Sequence, residues 1–200
     1  MIGKFVKLAA VVMLLSSAVS GGWVVAGGPL EGHASAPATV DNATAEDLGF
    51  VEPQVQQIAI QDTIAVAGVE KRLNITAYVM ATGTEDGEAR VLAMTLPGWT
   101  IAGVATNPLA YVPLKQAVKH VLPRLPFEVP EVAYEGKSSV ELGDKEVTAG
   151  EYTVESQAMR IVVARATVDE DVVFAVGVYP EENSSARDRI EALFGNVTHG

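Results

Sequence analysis

Met159-Arg-Ile-Val-Val-Ala-Arg-Ala-Thr-Val168 and Val172-Val-Phe-Ala-Val-Gly-Val-Tyr179 flank the acidic triplet Asp169-Glu170-Asp171. Two β-rich runs around a tight polar turn predict an antiparallel hairpin. Val172–Val176 is continuously apolar, which fits a strand covered on both faces and therefore central in its sheet. The same alternation of runs and turns continues outwards. Ser139–Leu142 and Glu146–Glu155 are joined by Gly143-Asp144, and Arg90–Leu96 returns after Thr82–Gly87, where Asp86-Gly87 is hairpin chemistry. Leu73, Ile75, Ala77, Val79 and Ala81 alternate with Asn74, Thr76, Tyr78 and Met80, the period of a half-buried strand. Val55–Ile60 and Ile64–Ala67 precede a turn at Ala67-Gly68.

Two helices are expected among these strands. Leu114, Ala117, Val118, Val121 and Leu122 fall at helical spacing between Pro113 and Pro123. The second helix spans Ser185–Phe194, with Ala186, Ile190, Leu193 and Phe194 as its buried stripe, Ser185 and Asp188 at capping-box spacing, and Gly195 as its stop. The expected fold class is α+β: a mostly antiparallel sheet of about eight strands with two covering helices, preceded by an N-terminal hydrophobic helix.

The first thirty residues decide where such a domain resides. Lys4 and Lys7 precede an uncharged run from Leu8 to Leu30. As a signal peptide, Leu8–Leu15 is its apolar region, and Ala18 and Ser20 before Gly21 are the small residues that a peptidase needs. As an anchor, Leu8–Ala26 would form about 28 Å of helix, close to the hydrocarbon thickness, with Trp23 at the outer interface. Either reading puts the remainder outside the cytoplasm. Residues 1–30 are thus a signal peptide or membrane anchor, 31–45 a flexible spacer broken by Pro37, and 46–200 a single extracytoplasmic domain, opened by a short turn at Glu46–Phe50.

The chain of 200 residues carries a formal charge of −11, from 14 Lys+Arg against 25 Asp+Glu. An acidic surface suits solubility and opposes general nucleic-acid binding, which needs a basic face. The absence of cysteine excludes disulfides, thiolate metal sites and thiol nucleophiles. Four asparagines open Asn-x-Ser/Thr triplets, at Asn42, Asn74, Asn183 and Asn196. They are candidate glycosylation sites, with helix capping or chance as the competing explanation.

Catalytic chemistry is sparse. His33 lies in the spacer, His199 at the chain end and His120 on the polar face of the first helix. Gly136-Lys137-Ser138 resembles the end of a phosphate loop, but Glu131 stands where the first glycine is required. Glu85-Asp86-Gly87-Glu88 and Asp169-Glu170-Asp171 lack the ligand spacing of a calcium loop and read as solvated hairpin tips. No catalytic residue, metal ligand or cofactor is assigned. The unusual stretch is Val91–Leu114, which carries no charge. It completes the core over one sheet face, or it forms an apolar surface with Trp99, Ile101, Leu109 and Tyr111 as contacts.

These residues together resemble an uncharacterised family of exported, lipoprotein-like proteins of halophilic archaea. The resemblance covers Ala38–Val197 and rests on Ala38-Thr-Val-x-x-Ala-Thr before Leu48-Gly49-Phe50, Val66–Gly68, Asn107-Pro108 and Val173-Phe-Ala-Val-Gly-Val-Tyr-Pro180. It implies a cell-surface domain of unknown function. One departure is that Gly22 occupies the position of the lipidated cysteine in Val19-Ser20-Gly21-Gly22. The expectation is a non-enzymatic domain, membrane-tethered or secreted, that binds or scaffolds a cell-surface partner. The alternatives are a carrier of apolar ligands through Pro97–Tyr111 and a carboxylate-dependent hydrolase.

Overall fold

The structure is a computed structural model, and it describes residues 30–66, 69–98, 100–101, 104–105 and 132–200. Side by side in the main sheet lie β3 (Gln54–Val66), β4 (Val69–Gly83), β5 (Arg90–Leu96), β11 (Asp171–Pro180), β10 (Met159–Val168), β9 (Lys145–Val154) and β8 (Ala133–Leu142). All these neighbours are antiparallel. A short β1 (Leu30–His33) pairs parallel with β4 and completes the eight strands. Since β3 occupies one flank of β4 throughout, β1 and β5 share the other, at residues 73–76 and 78–83.

The hairpin and the central apolar strand are as expected. β10 and β11 pair from Met159↔Pro180 to Val168↔Asp171, and Asp169 turns the chain at φ 53°. β11 lies between β5 and β10, with Val172, Val173, Phe174 and Ala175 all buried. The expected runs at 55–60 and 64–67 are one continuous strand, β3. Gly136-Lys137-Ser138 lies within β8 and is extended backbone, so it cradles no phosphate.

Two α-helices occur among the described residues, α1 (Asn42–Asp47) and α2 (Ser184–Gly195). The stripe of α2 faces the sheet as expected, with Ala186, Ile190, Leu193 and Phe194 fully buried. Burying Ile190, Leu193 and Phe194 contributes about 1.5–3 kcal/mol each. Small residues beneath the helix allow the approach: a Cβ on Gly177 of β11 would lie 2.4 Å from Ile190 Cγ2. The cap differs from the expected Ser185–Asp188 pair. Asn183 Oδ1 accepts from Ala186 N and Ser185 Oγ, because a cap must stand one residue before the first helical turn.

Residues 31–45 do not stand apart as a spacer. β2 (Ala38–Thr39) pairs with β12 (Thr198–His199), and Ala34, Ala38, Val40 and Ala45 are buried. Elements this short have no periodicity to betray them. The segment instead joins α2, Val197 and the face of the sheet bearing Met80, Ala93, Ala164 and Ala175 in one core. On the opposite face the alternate positions Ile75, Val79, Met94, Leu96 and Phe174 are also buried.

The expected helix at Leu114–Leu122 and the leader lie outside the described residues. Among the described residues, no helix is long and apolar enough to cross a membrane.

Candidate functional site

The charged groups of most interest are held by three elements that the chain brings together from far apart. The first is the end of α1. Asp41 caps its start, accepting from Thr44 N and Oγ1. Its end is a left-handed stop: Gly49, at φ 79°, donates N–H to Glu46 O, and Phe50 N–H donates to Ala45 O. This is the Schellman pattern, and its apolar contact is supplied by Phe50 and Ala45, both buried. The second element is the turn from β4 to β5. Asp86 Oδ1 accepts from Thr84 Oγ1 at 2.5 Å and Glu88 N at 2.9 Å, and Gly87 takes φ 75°. Those bonds, Thr84 first and Glu88 next, hold the Asp86 carboxyl below its ordinary range, with the charge of Arg189 adding to the effect.

Both elements are fastened to the sheet and to each other. Val51 N donates to Gly83 O, Thr82 Oγ1 donates to Val51 O, and Phe50 bridges Thr84. The third element is α2, tied to the same turn by Asn183 Nδ2 donating to Glu88 Oε2. Between the three lies a cleft of about 440 Å³, walled by Glu46, Phe50 and Val51 on one side and by Thr84, Glu85 and Asp86 on the other. Arg189 enters it from α2, and Gly49 passes so close that an added Cβ would lie 3.3 Å from its Nη1.

Arg189 is unusual in its bonding. Arg187, about 200° around the helix from it, donates to Glu191 at 2.7 Å and Glu151 at 2.6 Å. Those partners, Glu191 foremost, push its pKa above the ordinary guanidinium value. Arg189 forms no ion pair or hydrogen bond among the described residues, and its Nε is shielded from water without a partner. Leaving a buried donor unpaired costs about 1–3 kcal/mol, so this guanidinium is held at some expense to the fold. Glu46 and Glu85 are exposed beside it, and neither carboxylate makes a hydrogen bond among the described residues. Guanidinium groups suit planar, two-pronged recognition of carboxylates and related anions.

A second polar cluster lies beyond the other end of the β5–β11 ladder. Asp171, expected at a solvated tip, is only 3% exposed. Its Oδ2 accepts from Ser35 N and Ser35 Oγ, both at 2.7 Å, and from His199 Nε2 at 3.2 Å. Its Oδ1 accepts from Gly98 N at 3.3 Å. The solvated reading of Asp171 is therefore corrected, and His199, at the chain end, is held by it, because these donors are distant in sequence and converge only in the fold. Serine, histidine and aspartate are the residues of a hydrolytic triad, but the wiring differs. Serine and histidine donate separately to one carboxylate, so the imidazole does not stand between the hydroxyl and the acid as a general base must.

The other sequence-derived candidates are scattered. Trp99, Leu109, Tyr111 and His120 lie outside the described residues, and Ile101 belongs to a two-stranded ribbon, β6 (Thr100–Ile101) with β7 (Val104–Ala105). His33 is exposed and bonds Thr76 Oγ1 at 3.1 Å. Three of the four sequon asparagines are engaged: Asn42 with Glu52, Asn183 as the α2 cap, and Asn196 with Ala192 O. Asn74 is exposed on β4. Among the described residues, no three His, Cys, Asp or Glu side chains converge to hold a metal ion. Sequence reasoning missed the cleft; its only local signals were Asp86-Gly87 and the glycine after Leu48.

A family model described as a domain of unknown function, DUF6517, matches residues 37–198. The chain belongs to that family. No curated protein matches it.

Proposed function

We propose that this DUF6517 domain is a non-enzymatic binding module displayed outside the cytoplasm, tethered through its N-terminal segment or released from it, and that the Arg189 cleft is its binding face. The observation that carries the binding role is Arg189: a guanidinium at a solvent-open cleft that makes no hydrogen bond or ion pair among the described residues. Three fastened elements hold that group ready, and such preorganisation is what a recognition site needs. The extracytoplasmic placement is supported by the lysine-flanked apolar leader, the four sequons and the acidic balance of −11. The partner is a small molecule or exposed group at the cell surface, and the membrane is met only through the leader.

The placement is tested by protease shaving of intact cells that produce the full chain, with mass analysis of its N-terminus. The expected result is cleavage of the body from outside, with the chain starting either at Met1 or at Gly21. A protected, full-length chain recovered from the cytosol would overturn it.

A further inference from the structure

Resting on the reading of the cleft as a binding face, we propose that its ligand class is the dibasic α-amino acids, of which L-arginine, L-lysine and L-ornithine are the simplest. The charges of the walls carry the argument. Arg189 borders the cleft and makes no hydrogen bond or ion pair among the described residues; its Nε is shielded, so the Nη groups are the donors left for a ligand, which therefore brings a carboxylate. Glu46, Glu85 and Asp86 line the same cleft with three carboxylates. An inorganic anion entering the cleft would meet this acidic rim, and like-charge contact of that kind is a device against wrong partners. A plain cation would answer the carboxylates but leave the guanidinium unpaired and facing a like charge. Only a ligand with one carboxylate and more than one cationic group answers both sides.

The hydrogen-bond inventory and the shape agree with that assignment. Asp86 uses Oδ1 within its own turn, and among the described residues its Oδ2 and the carboxylate oxygens of Glu46 and Glu85 receive no hydrogen bond. Cationic amino groups therefore find acceptors on both walls. Val51 is 44% exposed at the lip, an apolar surface for the methylene stem that such side chains lay down while keeping their charge in water. The volume of about 440 Å³ lies within the range of small-molecule sites.

Equilibrium dialysis of the full chain with four probes tests the assignment: L-arginine, its decarboxylated analogue agmatine, L-glutamate and inorganic phosphate. L-arginine is expected to bind at least ten-fold more tightly than agmatine, with no retention of L-glutamate or phosphate. Arg189→Met should weaken L-arginine at least ten-fold and, by removing a like charge, leave agmatine bound as tightly as before or more tightly. Glu85→Gln, on the exposed turn, should weaken both by several-fold while circular dichroism stays native. Retention of L-glutamate or phosphate that Arg189→Met abolishes would reject the ligand class and keep the cleft as a binding face. Failure of all four probes, or L-arginine binding indifferent to Arg189→Met, would overturn the ligand class and the binding face together.

Discussion

Asp171 and Arg189 stand beyond opposite ends of the β5–β11 ladder and are bonded in opposite ways. Four donors converge on Asp171, from the N-terminal stretch, the exit of β5 and the C-terminal strand. Arg189 donates no hydrogen bond among the described residues, although three elements fix the cleft around it. A buried carboxylate with its lone pairs used fastens segments that nothing else in the sequence joins. A guanidinium whose donors are unused contributes nothing comparable to the fold and stays available to a partner. The lesson is that saturation, rather than charge or burial alone, separates a structural ion from a binding one.

The contrast breaks most visibly at Asp171. Asp171→Ala leaves the Ser35 and Gly98 amides and the His199 ring without their acceptor, and stability should fall by about 3–5 kcal/mol. Urea unfolding followed by tryptophan-independent far-ultraviolet dichroism measures this. A loss within about 0.5 kcal/mol, the size expected of a change on the open surface, would deny the cluster its fastening role.

Tyr152 sharpens the comparison, since its hydroxyl is buried and also lacks a partner among the described residues. Burial, with the ring of Tyr134 beside it as the lesser cause, pushes it up to about 12. The phenol therefore keeps its proton at neutral pH. The folded state holds that proton to higher pH than the unfolded chain, whose tyrosines ionise near 10. Stability is accordingly full below pH 10 and falls as pH rises from 10 towards 12. Tyr152→Phe should flatten this decline and change stability below pH 10 by less than about 1 kcal/mol, since it removes an orphaned hydroxyl. Stability unchanged between pH 10 and 12 in the parent chain would contradict the assignment.

The legible parts of the molecule were those in which burial leaves a period. The hairpin of β10 and β11, the central strand and the stripe Ala186, Ile190, Leu193 and Phe194 all follow from spacing. The segment 31–45 hid its role because β2 is two residues long and α1 six, too short for any period to register. Asp171 hid for another reason. Within Asp169-Glu170-Asp171 it looks like a solvated tip, and the partners that bury it, Ser35 and His199, are 136 and 28 residues away. The cleft was invisible for the same cause. Glu46, Asp86 and Arg189 belong to three separate elements, and local sequence reports only that the first two lie in turns and the third on a helix, not that they meet.

The most direct test of the account is the equilibrium unfolding free energy of Arg189→Met at neutral pH, compared with the parent chain. Methionine keeps the stem's packing and removes the unpaired donors, so stability should stay within about 0.5 kcal/mol or rise. A loss approaching that of Asp171→Ala would show that the guanidinium is part of the fold's own bonding and contradict its assignment as the spare group of a binding cleft.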